Sequence, residues 1–261
     1  MDPYREKLRQ YETFILPGII LLGLFARIAR CFTYPAIRED AVLYFQMADA
    51  WQKGGFHAMD QIYEGLPPFW PAFLGIVQQA GASPEFWAKS LGIILSAAAV
   101  PAVYYISMKL TQRKIYAYIS SFLFCVHPSF IKISTEMLRD TVYLPLFVFA
   151  VASVLYAESE ERKWWRYLLF ALVVVLGAMF RKEGVELIII FFLFSLIKVL
   201  MKKDTPTAAV KKCAVVLFTF CALSLPLQNY VQKSGYRWSL IPVHLINRQL
   251  NQLNKVINGG K

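Results

Sequence analysis

The sequence predicts an all-α membrane protein: a polytopic helix bundle of about seven spanning helices, with juxtamembrane helices in its first outer loop. Hydrophobic residues make up 57% of the 261 residues, which is too apolar for a water-soluble domain of this length. Apolar stretches near the length of a membrane span recur along the chain, and basic residues stand between them rather than on one polar surface. This distribution argues against nucleic acid as a partner and makes the lipid bilayer the expected one.

The apolar stretches predict the spans in order. They cover residues 14–31, 87–108, 114–131, 139–157, 164–180, 185–201 and 211–228. We interpret the chain as a single membrane core, in which 1–31 holds the first span as an uncleaved anchor, 32–86 an outer loop, 87–228 six further spans and 229–261 an outer tail.

Two shorter segments predict helices that do not cross the membrane. Residues 66–81 contain three prolines, which favours a juxtamembrane or re-entrant helix over a full crossing. In the tail, Ile246, Leu250, Leu253 and Ile257 recur at helical spacing among polar residues. That spacing indicates an amphipathic helix on the membrane surface.

The distribution of basic residues predicts the orientation of the chain. Lys and Arg are denser in the loops that would be cytoplasmic if the N-terminus is inside, although Arg27 and Arg30 at the outer end of the first span count against this. The outer loop 32–86 is longer than connections in a compact bundle usually are. We therefore expect it to build a functional site on the extracytoplasmic face.

Three charged clusters fall on that face in this topology. In the first, Glu39 and Asp40 open a helix in which Tyr44 and Ala48 recur at helical spacing. The carboxylates are either caps of a surface helix or include a general base at the membrane boundary. The local spacing leaves both readings open.

The second cluster lies between the third and fourth spans. His127 and Pro128 end the third span, and Glu136, Arg139 and Asp140 recur at i, i+3 and i+4, which predicts that they share one helix face. The alternative to a binding role is a salt-bridged helix start.

The third cluster, Arg181, Lys182 and Glu183 with Glu186 one step deeper, joins the fifth and sixth spans. Charges at a membrane boundary are costly unless they meet each other or a ligand, and the alternative is that they are interfacial anchors. Together the clusters offer carboxylates for proton abstraction and cations for an anion. A phosphate-bearing lipid fits, with Arg181 binding the phosphate bidentately and Lys182 or Arg139 adding charge.

The order of these motifs resembles that of the GT-C fold glycosyltransferases, especially the protein O-mannosyltransferase and aminoarabinose-transferase superfamily that uses polyprenyl-phosphate sugars. The resemblance covers most of the chain. It is carried by Glu39-Asp40 with Tyr44 and Ala48, the Pro-rich residues 66–75, residues 87–92 leading to Tyr104-Tyr105, His127-Pro128 with Glu136 and Asp140, and residues 181–184, which are similar to the family's Arg-x-Glu-Gly turn.

The resemblance implies an inverting glycosyltransferase of the multi-pass membrane kind, with an extracytoplasmic active site. Asp40 would be the base and Arg181 would contact the donor phosphate, while Glu39, Glu136 or Asp140 would orient the acceptor, the sugar or a metal. The expected catalytic set is Asp40 and Glu39, and the expected substrate-binding set is Arg181, Lys182, Glu183, Arg139, Asp140, Glu136, Tyr44 and His127. The acidic motif reads Glu-Asp where the family more often has Asp-Glu, and alignment through Tyr44 and Ala48 favours Asp40 as the base.

The expected partners are a polyprenyl-phosphate-linked sugar donor, the bilayer, and a glycan, lipid or protein acceptor. No cofactor is expected, with a divalent metal left open. Two other classes compete: a transporter or flippase of a lipid-linked or anionic substrate, and a noncatalytic, truncated relative. A transporter predicts matching halves with Gly- or Pro-broken spans, which the sequence does not show.

Overall fold

A computed structural model describes residues 3–33, 39–159 and 163–240, with side chains from residue 14 onward. In this part of the chain, ten α-helices and one short 3-10 turn follow each other without strands. The helices are α1 (Pro3–Thr33), α2 (Glu39–Ile62), α3 (Phe69–Gln79), α4 (Pro84–Thr111), α5 (Lys114–Val126), α6 (Pro128–Thr135), α7 (Asp140–Glu158), α8 (Arg166–Phe180), α9 (Glu186–Leu200) and α10 (Pro206–Lys233); the turn is Lys182–Val185. The amphipathic helix predicted around Ile246 and Ile257 falls outside the described residues.

The predicted all-α membrane bundle is confirmed. Four helices are long and apolar enough to cross a bilayer, namely Phe14–Thr33 within α1, and α4, α7 and α10. Helices α8 and α9 coincide with predicted spans but have only 15 residues each. The predicted span 114–131 divides into α5 and α6. A count of seven crossings therefore stays a prediction.

The division between α5 and α6 has a local cause. Pro128 has no N–H to donate into a continuing helix, and His127 before it is extended (φ −64°, ψ 123°). The His127 ring Nδ1 then accepts a hydrogen bond from the Ser129 backbone N–H at 3.2 Å, which caps α6.

The predicted outer loop 32–86 contains α2, which begins at Glu39 as predicted, and α3, which lies within the segment 66–81 that was predicted as a juxtamembrane or re-entrant helix. Helix α2 is broken at Gly54 and Gly55, and Gly55 adopts φ +62° and ψ −146°, a conformation that favours glycine strongly. The first half of α2 starts with Glu39 and Asp40, and the second half leads toward α3. The break therefore lets the two halves take different directions.

Helices α7 and α8 form the centre of the bundle, with α4 packed on α7 and α10 packed on α8. We call the end where α7 begins and α8 ends the upper end, and the opposite end the lower end. Near the upper end a methyl group on Gly92 of α4 would lie 2.1 Å from the Thr141 Cγ2 atom and 2.4 Å from the Ser134 carbonyl oxygen. This close approach fixes the start of α7 against α4.

Arg27, which counts against the predicted orientation, is fully buried between α1, α4 and α5. It donates hydrogen bonds to the Ser96 hydroxyl at 3.0 Å and to the carbonyls of Gly23 and Cys125 at 2.9 and 3.1 Å. Ionisable side chains within membrane segments usually face the bundle interior in this way. Because Arg27 is used inside the bundle, it does not act as an interfacial anchor and does not bear on the orientation.

A network of buried charges closes the lower end. Glu158 at the end of α7 pairs with Lys198 of α9 and with Lys212 of α10, and the Tyr167 hydroxyl donates to it at 2.7 Å. Lys212 also pairs with Asp204 at 2.7 Å. These pairs join three helices where α7 and α9 end and α10 begins.

Candidate functional site

Arg181 is the centre of the candidate site, just past the end of α8 at the upper end. Its Nη1 group donates to Asp140, and its Nε and Nη2 groups donate to the two carboxylate oxygens of Glu183 at 3.2 and 3.1 Å. These bonds, above all those with Glu183, raise the pKa of Arg181 and lower the pKa of Glu183. The Arg181 side chain is still 29% exposed, so a ligand can reach it.

The backbone around Arg181 explains how its side chain meets Asp140. Arg181 is extended (φ −142°), and the 3-10 turn that follows folds back on α8. A methyl group on Gly184 would lie 2.6 Å from the Ala178 backbone nitrogen, so only glycine allows this approach without a shift. Asp140 is the first residue of α7, and the next residue, Thr141, donates its hydroxyl to the carbonyl of Ile133 at 2.7 Å.

Tyr143 belongs to the same arrangement, although the sequence analysis missed it. The Arg181 guanidinium carbon lies 5.6 Å from the centroid of the Tyr143 ring, within cation–π distance. The available signal was its position three residues after Asp140 on one helix, since residues at that spacing share a face.

Tyr44 in α2 lies within electrostatic range of this ion-pair cluster. Tyr44 is 5% exposed, and burial raises the pKa of its hydroxyl. The charges of Arg139, Asp40, Asp140 and Arg181 all act on that hydroxyl. The structure therefore brings together residues from all three charged clusters that the sequence singled out. Glu39 and Asp40 themselves are exposed in the first turn of α2.

Arg139 differs from Arg181 in having no carboxylate partner. Its side chain is half-buried and forms no ion pair with another described residue. Its charge acts on Tyr44 and on Glu183, so it lies near both. It is therefore a cation of the cluster that is available to a ligand.

Some predicted site residues take other places. Helix α6 ends at Thr135 and α7 begins at Asp140, so Glu136 and Arg139 lie between helices, and the predicted sharing of one helix face with Asp140 is wrong. The physical reason is the bond from Thr141 to Ile133, which turns the chain at this point. His127 caps α6 and, within the described part of the chain, forms no hydrogen bond or ion pair with the cluster around Arg181.

Metal binding by this cluster is not supported by its donor set. Arg181 already holds both Asp140 and Glu183. Within the described ranges, no three His, Cys, Asp or Glu side chains are grouped to hold a metal ion.

Lys182, which follows Arg181 in the chain, is exposed and lines an open cavity of about 650 Å³. The lining also includes Glu64 from the α2–α3 connection and Gln232 near the end of α10. The segment after α10, residues 234–240, completes the wall. The sequence analysis missed these cavity residues, apart from Lys182.

With the fold and this cluster established, the family can be assigned. The model of the dolichyl-phosphate-mannose-protein mannosyltransferase family matches residues 67–233, more than half of the chain. The chain belongs to this family. The resemblance to GT-C glycosyltransferases is thereby confirmed, and the chain is an integral membrane protein of a glycosyltransferase family whose members use a polyprenyl-phosphate sugar. No curated protein and no solved structure matches it.

The boundaries of the match divide the site. Arg139, Asp140, Arg181 and Glu183 lie within the part that matches the mannosyltransferase family. Helix α2 with Asp40 precedes the match, and residues 234–240 follow it. Asp40 and most of the cavity wall formed by residues 234–240 therefore lie outside the part of the chain that matches the family.

Proposed function

We propose that the chain transfers a sugar from a polyprenyl-phosphate donor to a hydroxyl-bearing acceptor at the extracytoplasmic face, with inversion at the anomeric carbon. One observation carries the proposal: a guanidinium is held by two carboxylates at the end of an apolar bundle, and its charge and that of Asp40 both act on the buried Tyr44 of α2. This is a place where a lipid-linked anion and a carboxylate base can meet.

Arg181 is suited to bind the donor phosphate. Its bonds to Asp140 and Glu183 use one N–H on each of its three nitrogens and leave a further N–H on each terminal nitrogen. Two such N–H groups side by side bind two oxygens of one phosphate. The carboxylates keep the guanidinium in one orientation, and Arg139 supplies a second positive charge nearby.

An apolar groove of about 200 Å³ supports a lipid-linked donor. It lies between α7, α8 and α9, and its lining includes Val151, Leu155, Phe170, Leu187, Ile190 and Phe194. Of the lining residues, Leu187 lies nearest the upper end, one turn beyond Glu183, while Leu155 and Phe170 lie toward the lower end. A polyprenyl chain attached to a phosphate at Arg181 would enter this groove.

The proposed reaction uses Asp40 as a general base. The Asp40 carboxylate takes the proton of the acceptor hydroxyl, and the hydroxyl oxygen forms a bond to the anomeric carbon from the face opposite the phosphate. The bond between that carbon and the phosphate oxygen breaks, and the polyprenyl phosphate leaves with the electron pair. Arg181 and Arg139 stabilise the added negative charge, and the buried Tyr44, protonated at neutral pH, offers a hydroxyl to the sugar.

Asp40→Asn tests the base. The amide occupies the same space but cannot accept the proton, so we expect kcat/KM for transfer to fall about 10²- to 10⁴-fold. Glu39→Gln should reduce transfer by less than about tenfold, because the proposed base remains. The measurement is transfer by the reconstituted protein from a panel of polyprenyl-phosphate sugars.

Asp49→Asn is the matched control, because Asp49 is exposed on the same helix and only accepts a bond from Gln78 at 2.8 Å. Its transfer rate should equal that of the wild type. If Asp40→Asn also transfers at the wild-type rate, Asp40 is not the base. If Glu39→Gln alone abolishes transfer, Glu39 takes that role.

A further inference from the structure

The cavity beside Lys182 lies outside the chemistry assigned to Arg181. We propose that it binds the acceptor, and that this acceptor is the hydroxyl-rich end of a glycan. The proposal rests on the transferase function proposed above. It names the acceptor class for a reaction that needs a second, hydroxyl-bearing substrate.

The cavity wall is fixed by contacts between distant parts of the chain. In the segment 234–240, Arg237 donates its backbone N–H and its Nε group to the two oxygens of Asp60, both at 2.8 Å. Its Nη2 group pairs with Glu64 at 2.7 Å, and the Tyr236 hydroxyl donates to the Tyr63 carbonyl at 3.2 Å. The segment is thus tied to the end of α2, and the wall is already ordered before a ligand binds.

The size and position of the cavity suit a second substrate. A volume of about 650 Å³ is within the range of about 300–1,000 Å³ typical of ligand sites. The cavity wall includes Lys182, which directly follows the proposed phosphate ligand Arg181 in the chain. Lys182 forms no ion pair with another described residue, which leaves its ammonium group for a ligand.

The groups in the wall favour a glycan over a peptide. Carboxylate, amide, hydroxyl and ammonium groups come from Glu64, Gln232, Ser239 and Lys182. Sugar hydroxyls both donate and accept, so they match a mixed set of this kind.

A peptide would gain most from pairing with an extended backbone, and the segment 234–240 offers little of it. The backbone N–H of Arg237 donates to Asp60 and that of Trp238 to Tyr236. The backbone N–H of Leu240 donates to the side chain of Gln228. A peptide strand therefore lacks these donors, and recognition falls to the side chains.

Saturation-transfer NMR on the full chain in lipid nanodiscs tests the proposal without needing catalysis. The probes are an α-linked mannotriose, chitotriose and a Ser/Thr-rich hexapeptide. We expect at least one trisaccharide to bind, with affinity at least fivefold weaker in Lys182→Ala. Lys53→Ala, which removes an exposed lysine from α2 outside the cavity, should bind like the wild type.

Binding of the hexapeptide alone, binding of no probe, or equal trisaccharide binding by Lys182→Ala and Lys53→Ala would overturn the proposal. A second measurement distinguishes failure of the acceptor-site proposal from failure of the proposed transferase function. It is the slow hydrolysis of the polyprenyl-phosphate sugar by water, measured without acceptor. Donor hydrolysis without trisaccharide binding would overturn the acceptor-site proposal but not the transferase proposal. If the protein neither hydrolyses the donor nor binds a trisaccharide, both proposals are overturned.

Discussion

Arg181 carries one positive charge but pairs with two carboxylates. Asp140 and Glu183 carry two negative charges against the one guanidinium, while Arg139 stands nearby without an ion pair to a described residue. The carboxylates orient Arg181, and Arg139 balances the second negative charge, which favours an incoming anion. A phosphate is therefore bound by a group whose direction is set before it arrives.

Arg181→Lys separates charge from geometry. Lysine keeps the positive charge but cannot hold two carboxylates and a phosphate at once, so we expect the affinity for a fluorescent polyprenyl phosphate to fall about 10- to 100-fold. Binding is measured by titration in nanodiscs.

Arg113→Lys is the control for Arg181→Lys, because Arg113 is exposed at the lower end, where its guanidinium lies 5.9 Å from the Tyr116 ring centroid. Its affinity should match that of the wild type. Wild-type affinity in Arg181→Lys would show that a bidentate contact is not required.

At the scale of single elements, the turn Lys182–Val185 connects the site to the bundle. The turn packs on both α8 and α9, and it does so through the close approach of Gly184 to the backbone of Ala178. A change in this turn should therefore affect the position of Arg181 without removing any charge.

Gly184→Ala tests this connection. The added methyl group meets backbone rather than a flexible side chain, so the turn must shift, and we expect a loss of about 1–3 kcal/mol in unfolding free energy with weaker donor binding. Thermal unfolding in detergent and the same titration measure the two effects. Gly18→Ala should cost nothing, because a methyl group there meets no atom within 4 Å. Equal behaviour of the two variants would contradict the role of the turn.

The groove between α7, α8 and α9 predicts a dependence on the length of the lipid chain. Ile190→Trp would fill the groove, so the KM for a long-chain donor should rise about tenfold. A tenfold change corresponds to the free energy of burying about two methylene groups of the lipid chain. A donor with a short chain should be unaffected. Ile189→Trp is the matched control, because Ile189 is equally exposed (57% against 56%) but does not line the groove. Equal effects of both variants on both donors would place the tail elsewhere.

At the scale of the whole molecule, polar contacts fix the two ends of an apolar bundle. The upper end is joined by Asp60, Glu64 and Arg237, and the lower end by Glu158, Lys198, Lys212 and Asp204. The lower pairs are nearly inaccessible to water, so loss of one partner leaves an uncompensated buried charge.

The lower network predicts a loss of stability in acid. Burial by itself raises the pKa of Asp204, but the hydrogen bond and charge of Lys212 lower it below its ordinary value of 3.8. A carboxylate with a lowered folded-state pKa adds stability above its unfolded pKa, and this stability is lost as the pH falls through the folded value. We expect the midpoint temperature of thermal unfolding to decrease as the pH is lowered below about 4. The decrease should be less steep in Asp204→Asn, which lacks this carboxylate.

The control for Asp204→Asn is Asp49→Asn, in which an exposed carboxylate is removed. It should keep the acid dependence of the wild type. If Asp204→Asn keeps the full acid dependence as well, the loss has another origin.

The features that depend on neighbouring residues could be predicted from the sequence. Each predicted span is helical, with 114–131 divided between α5 and α6 at Pro128, and Glu39 and Asp40 open α2. Hydropathy, proline geometry and helix periodicity act over a few residues, so they leave a readable local pattern. Asp140 and Arg181 were both chosen on such local grounds.

Tertiary structure alone decided which of these residues meet. The ion pair between Arg181 and Asp140 joins residues 41 positions apart, and the bond between Arg237 and Asp60 joins residues 177 positions apart. Tyr143 became part of the site, and the predicted face shared by Glu136 and Asp140 was lost, because helix packing sets the place of each helix end. The sequence by itself determined the membrane helices and the kind of chemistry at their ends. Only the packing of those helices decided the partners of Arg181 and formed the cavity beside Lys182, since contacts between distant residues leave no local pattern.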